Sequence, residues 1–294
     1  MIKEFNVTKD SSPYGIAFGG DGAFWFTQNK GNKIGRITTL GAISEFPVLT
    51  ENAGLSIIVK GANALWFTET IGNKLGKIDY NGNIEEYSLK QENCGIFGIA
   101  HNPKDGAIWF TQMNANKIGR LDSELKYSEY TIPIDNSFPS FIAIDDNENL
   151  WFTLNQANSI GKLDKQGKFK HLPIPTEKSG PVGICVGPAN SIWFVELLAN
   201  KVGRVNADDT ITEYELAIPN AKPHAIAYRT GNKLWFTQWG ANKIANIDLN
   251  GNIVEFDLPT ENSEPHGLAI GDEDIFVALE CGKVGVLKIG GHNS

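Results

Sequence analysis

Six tryptophans stand at nearly equal intervals along this chain of 294 residues: Trp25, Trp66, Trp109, Trp151, Trp193 and Trp235, separated by 41, 43, 42, 42 and 42 positions. The residues after each are almost the same: WFTQ, WFTE, WFTQ, WFTL, WFVE, WFTQ. A variant of P-x-G-I lies about 12 residues before each tryptophan, N-K-I-G-R-I follows a few residues after it, and most units close with I-x-E-[FY]-x-[LI]-P. A seventh copy, PHGLAIGDEDIFVALECGKVGVL, puts Phe276 in the tryptophan's place. Every unit thus holds four short runs rich in Ile, Val, Phe, Tyr and Trp, punctuated by Gly, Asn, Asp and Pro. Such runs read as strands joined by tight turns, and no stretch keeps a helical period. Four strands per 42 residues, repeated seven times, predict an all-β, seven-bladed β-propeller of four-stranded blades. A β-solenoid competes, but its repeats are usually shorter.

The two ends support ring closure. IKEFNV at the start matches the fourth strand of the other units, as in IVEFDL, whereas the seventh copy stops before a fourth strand of its own. Residues 2–7 are therefore expected to complete blade seven and remove its open edge. We expect a single propeller domain over 1–294, with a frayed tail at 290–294 in which His292 is a bystander.

Composition excludes several partners. A net charge of −8 argues against nucleic acid and anionic lipid. No apolar run is long enough for a membrane span, and the N-terminus lacks the pattern of a secretory signal. Cys94, Cys185 and Cys281 are odd in number and widely spaced, which suggests neither a disulfide framework nor a zinc site and fits the cytoplasm.

In a repeat, a site shows as a departure of one unit from its sisters. The position after the proline reads Tyr14, Leu55, Phe97, Ser140, Val182, His224 and His266. The position four after the tryptophan reads Asn29, Thr70, Met113, Asn155, Leu197, Trp239 and, counting from Phe276, Glu280. The first position opens the innermost strand and the second ends the antiparallel strand beside it, so both lie at one mouth of the central channel. Blades six and seven are neighbours, so His224, His266, Trp239 and Glu280 are expected to cluster. Glu264, two before His266, is the only acid at its position among the units. Two carboxylates forced together repel unless a cation sits between them. Oxygen donors favour Mg²⁺ over zinc, and a histidine beside the ion serves as its ligand or as a general base. Glu69 and Glu196 fall on the opposite strand face and read as structural residues facing an adjacent blade. The NK pairs before the third strand read as turn and surface residues.

The units PYGI…WFTQ…NKIGRI and the set KPHAIA, WFTQWGANKI, SEPHGLAI and ALEC resemble the virginiamycin B, or streptogramin B, lyase family over essentially the whole chain. The resemblance implies a monomeric propeller that confers antibiotic resistance. Its substrate would be a small-molecule cyclic depsipeptide of the type B streptogramins. The ring would be linearised at the threonyl ester by Mg²⁺-dependent elimination, without hydrolysis. It further implies His266 as general base, Glu264 and Glu280 as Mg²⁺ ligands, and His224 as a substrate contact. Trp239 lies where an aromatic wall is expected, and Tyr14, Phe97 and Met113 would hold apolar parts of the substrate. The chain departs from the family pattern at Gln238, where glutamate is common, and at Ala245, where glycine is common. Gln238 is expected to face away from the channel. Two other readings stay open: a metal-dependent lactonase or esterase on a propeller scaffold, and a non-catalytic binding propeller.

Overall fold

A computed structural model describes residues 1–290; the remainder of the expected tail, with His292, lies outside the described residues. Each repeat folds into one antiparallel four-stranded sheet whose strands pair in chain order, and seven such sheets form the propeller. In blade one the strands are Pro13–Phe18, Phe24–Gln28, Lys33–Ile37 and Ile43–Pro47. The second strand is buried along its whole length because sheets pack on both its faces. The phenylalanine of each WF pair is fully buried, from Phe26 to Phe236, and each contributes about 1.5–3 kcal/mol by leaving water. Its ring lies over the glycine of the third strand, so that a Cβ on Gly35 would sit 2.1 Å from Phe26 and one on Gly76 2.0 Å from Phe67. This contact explains the glycine of the K-I-G-R segment in blades one to five.

The ring closes as the sequence suggests. Lys3–Asn6 pairs antiparallel with Lys283–Lys288, in register from Lys3 opposite Val286 to Asn6 opposite Lys283. Blade seven therefore takes its three inner strands from the C-terminal end and its outer strand from the N-terminal end, which leaves no free inner edge. No helix among the described residues is long and apolar enough to cross a membrane.

Three repeated contacts fix how each blade begins. The asparagine of each NK pair is left-handed, with φ of 53° at Asn32 and 57° at Asn242, a conformation that asparagine tolerates better than most residues. Its side chain reaches into the next blade: Asn242 Oδ1 accepts from the backbone N–H of Ser263 at 2.8 Å, and its Nδ2 donates to the carbonyl of Thr260 at 2.8 Å. The same clamp recurs at Asn32, Asn73, Asn116, Asn158 and Asn200. These asparagines are thus not surface furniture, as the sequence suggested, but the hinge pins between blades. Next, the residue two before each innermost-strand position is also left-handed: Ser12, Gly54, Gly95, Phe138, Gly180, Lys222 and Glu264. Last, its carbonyl accepts from the N–H four residues past the tryptophan, as from Trp239 to Lys222 at 3.1 Å and from Glu280 to Glu264 at 3.1 Å.

This frame corrects one alignment. Leu55 pairs with Glu69 as Pro13 pairs with Gln28, so Leu55 occupies the proline position and Ser56 the one after it. Gly54 then takes the left-handed position.

Glu69 and Glu196 are structural, but they face their own blade's outer strand rather than an adjacent blade. Both are fully buried with side-chain oxygens that lack hydrogen-bond partners among the described residues. The equivalent residues Gln28 and Gln238 donate to outer-strand carboxylates, Glu45 at 2.8 Å and Glu255 at 2.9 Å. In blades two and five a glutamate meets Glu86 or Glu213 instead. Burial first, then the neighbouring carboxylate, pushes Glu69 up to about 7 and Glu196 up to about 8 from an ordinary 4.5. A carboxyl raised in the folded state stabilises fully below its unfolded value and loses that contribution as pH climbs through the folded one. The window here runs from pH 4.5 to about 8. The double variant Glu69→Gln/Glu196→Gln supplies the donor found in blades one and six. Calorimetry should show its Tm raised by roughly 3 °C or more at pH 8.5 and little changed at pH 5. An equal shift at both pH values would refute the assignment.

Candidate active site

The three repeated contacts bring one residue from each end of the repeat unit to the same mouth, and blades six and seven supply the polar ones. His266 opens the innermost strand Pro265–Ile270 of blade seven. Its carbonyl accepts from Thr237 Oγ1 of blade six at 2.8 Å. Gly267 follows because a Cβ there would lie 2.6 Å from the carbonyl of Tyr14 in blade one. His266 is therefore pinned between both neighbouring blades, and its ring is nearly buried at 8% exposure.

Around that ring the structure gathers most of the expected residues. Tyr14 lies 4.4 Å away by ring centroids, His224 meets it edge-on at 4.7 Å, and the Trp239 indole is near-parallel at 6.2 Å. Phe97 stands edge-on to Tyr14 at 6.3 Å. The Tyr14 hydroxyl and His224 Nε2 are 3.4 Å apart. Met113 reaches the same mouth through the bond from its N–H to the Gly95 carbonyl, at 2.9 Å. Gln238 is fully buried and turned to Glu255, away from the channel as expected.

The polar centre is formed by Glu264, His266 and Glu280, each offering a ligand atom within 4.8 Å of the others. Glu280 Oε2 accepts from His266 Nε2 at 2.8 Å, and its Oε1 lies 3.4 Å from Lys30 Nζ. The hydrogen bond from His266 holds the Glu280 carboxyl well below the usual carboxylate range, and Lys30 adds to it. Burial raises the Tyr14 phenol far above its ordinary value and the Glu280 charge adds to this, so Tyr14 is a hydrogen-bond donor and not a base. Burial lowers His224, and the adjacent His266 lowers it further, so its imidazole is neutral. His266 Nδ1, His224 Nδ1 and Trp239 Nε1 are buried without hydrogen-bond partners among the described residues. Two carboxylates and one imidazole converging at this distance are a donor set that fits a divalent cation.

Glu264 has the left-handed φ of 53° that three sister blades assign to glycine. Such a conformation costs roughly 1–2 kcal/mol for a residue with a side chain, and this kind of strain concentrates at functional sites.

Sequence reasoning missed three members of the site. Phe141 packs edge-on to Phe97 at 5.2 Å and to His224 at 5.8 Å. It occupies the place of Gly15, Gly98, Gly183 and Gly267, so the break of P-x-G in PSFI was the available signal. Lys30 is the only cation five residues past a tryptophan, where the sisters hold Ile71, Asn114, Gln156, Leu198, Gly240 and, counted from Phe276, Cys281. Lys222 places its Nζ 4.6 Å from the Trp239 ring, capping that indole.

The known proteins to which this chain is similar agree with this geometry. The virginiamycin B lyase family profile matches residues 1–287. The crystal structure of virginiamycin B lyase from Staphylococcus aureus is 42% identical with a TM-score of 0.93, covering 98% of this chain and 99% of that one. A streptogramin B lyase structure is 42% identical with a TM-score of 0.94, covering 99% of this chain and 98% of that one. A catalytically inactive histidine-to-alanine variant of the Staphylococcus aureus enzyme, solved with quinupristin, is 41% identical with a TM-score of 0.93 and covers 98% of this chain and 99% of that one. With the full-length match and these identities, the chain belongs to the virginiamycin B lyase family, a family of carbon–oxygen lyases.

Proposed function

We propose that this chain linearises type B streptogramin depsipeptides, inactivating them by elimination at the threonyl ester. The observation that carries this reading is the convergence of His266 with Glu264 and Glu280 at one mouth, in a chain whose relative was solved with quinupristin. Glu264 and Glu280 are the residues that would hold Mg²⁺, which when bound would polarise a substrate carbonyl and stabilise developing negative charge.

His266 is the general base. Its Nδ1 is sealed from solvent, so Nε2 is the nitrogen that exchanges a proton with a bound molecule. Where Nε2 donates to Glu280 it carries the ring proton, so the base form requires Glu280 to turn away and the proton to stand on Nδ1, which leaves the Nε2 lone pair free. Nε2 then takes the proton from the threonine Cα, the electron pair forms the Cα–Cβ double bond, and the Cβ–O bond breaks with departure of the carboxylate. No water is consumed. A positioned base contributes about 10²–10⁴-fold. Neutral His224 and un-ionised Tyr14 orient the substrate by hydrogen bonding. Tyr14, Phe97, Met113 and Trp239 form its apolar bed, and exposed Ile71 and Leu198 extend that bed along the rim. The three cysteines are unpaired, which supports a reducing compartment such as the cytoplasm.

Mass spectrometry of a type B streptogramin incubated with the protein and Mg²⁺ tests the reaction class. The product should keep the substrate's mass while gaining an unsaturated residue, and chelation should stop its formation. A gain of one water would instead establish an esterase, and no turnover would favour a binding propeller. His266→Ala should lower kcat by about 10²-fold or more with the fold intact by circular dichroism. Glu264→Gly should separate strain from function. Activity should fall about 100-fold or more, while relief of the left-handed glutamate raises Tm by roughly 2 °C. A variant that loses stability together with activity would show that Glu264 is structural.

A further inference from the structure

The elimination turns a neutral ester into a carboxylate, and it does so beside Glu264 and Glu280. A third anion released there is repelled unless a cation meets it. Lys30 is already paired with Glu280, at 3.4 Å. Lys222 is a second cation at this mouth, and it is uncommitted: partly buried, it has no ion-pair partner and donates no side-chain hydrogen bond among the described residues.

Three features of blade six hold Lys222 in place. Its backbone is left-handed, with φ of 49°, at the position where blade seven has Glu264 and three sisters have glycine. Its Nζ lies 4.6 Å from the centre of the Trp239 ring, and that ring is near-parallel to the His266 imidazole at 6.2 Å. The cation and the base thus share one aromatic neighbour. Gly240, the only glycine five residues past the tryptophan position, makes room for the lysine stem. A Cβ there would sit 3.1 Å from Lys222 Cγ, 3.2 Å from its Cδ and 2.3 Å from the Asn220 carbonyl oxygen. The larger residues that the sisters carry at this position would push the stem off the indole. Stacking alone does not account for the arrangement, because a partly exposed cation over an indole gains little beyond what the left-handed conformation costs.

We propose that Lys222 is the leaving-group residue of the elimination, its ammonium donating a hydrogen bond to the carboxylate as the Cβ–O bond breaks. This role rests on the lyase reading of the same site. As His266 Nε2 takes the Cα proton, the C–H electron pair becomes the Cα–Cβ double bond and the Cβ–O pair stays on the departing oxygen. Lys222 keeps its proton throughout; it stabilises negative charge and transfers nothing. The intact ester carries no such charge, so the contact strengthens only as the bond breaks. An interaction of that kind raises kcat rather than substrate affinity.

Product binding tests this role, because the linear product of a type B streptogramin carries the carboxylate and the cyclic substrate does not. Lys222→Met keeps a stem over Trp239 and removes the charge. By calorimetry with Mg²⁺ present, it should bind the purified linear product about tenfold more weakly than the parent chain does. The cyclic substrate, titrated into His266→Ala and His266→Ala/Lys222→Met, should bind both alike. In single turnover Lys222→Met should form the unsaturated product about 10- to 100-fold more slowly, and Lys222→Arg should recover most of that rate. Lys222→Gly, which relieves the left-handed side chain, should be as slow as Lys222→Met while melting no lower than the parent, so that the loss does not come from a disturbed loop. If the parent chain forms no unsaturated product, the lyase reading itself fails. If it does, and Lys222→Met equals it in single-turnover rate or in product affinity, or loses substrate binding to the same degree, the leaving-group role is overturned.

Discussion

Every blade of this propeller begins from a residue in left-handed conformation whose carbonyl accepts from an N–H of its own second strand, and in blades two to seven the residue just before it donates its N–H to an asparagine of the preceding blade. That constraint sets the ring. The asparagine clamp fixes where one blade starts relative to the last, and the carbonyl of the left-handed residue fixes the distance between the first strand's beginning and the second strand's end. Because the bonds are made by backbone and by an asparagine common to six units, they are indifferent to the side chains at the two positions they join. Tyr14, Ser56, Phe97, Ser140, Val182, His224 and His266 all hang from the same peg, as do Asn29 and Glu280.

This indifference lets a symmetric scaffold carry an asymmetric site. Substituting at a peg changes what projects into the mouth without changing how the blade is built. The cost appears only where the side chain conflicts with the backbone, and Glu264 is the clear case: its position suits glycine, which three other blades use. A carboxylate is kept there at the expense of roughly 1–2 kcal/mol, small against the burial of the phenylalanines and tryptophans that form the blade cores. The protein tolerates strain at the mouth because its stability is made elsewhere, in contacts that the seven units share.

The same logic explains what could be read from the sequence. Blade number, strand order, ring closure and the convergence of His224, His266, Trp239 and Glu280 all follow from periodicity and from antiparallel pairing, which are local rules. The misplaced Leu55 came from a unit without proline, where only the bulge and the pairing with Glu69 reveal the register. The NK asparagines looked like surface residues because their partners lie about 16 to 21 residues ahead in another blade, beyond any local pattern. Phe141 projects from the column next to the one that holds the histidines, and only the packing against Phe97 and His224 links it to the site. Lys30 had a visible signal, a lone cation in its column, but its meaning depends on Glu280, 250 positions away in sequence and adjacent only because the ring closes.

Closure bears on the site more directly than that. The outer strand of blade seven, supplied by the N-terminus, carries Glu4, whose side chain is almost fully buried. One of its oxygens accepts from the Thr260 N–H at 3.0 Å, and the other from Lys283 Nζ at 3.0 Å. Thr260 is also the residue whose carbonyl is held by Asn242 of blade six. The loop that leads into Glu264, Pro265 and His266 is therefore clasped from both sides, by blade six and by the strand that completes the ring. Any loosening of the N-terminal strand removes one side of that clasp four residues before Glu264. Ring closure and the alignment of the carboxylates with His266 thus rest on the same buried glutamate. The strand that closes the ring also braces the loop that carries Glu264 and His266.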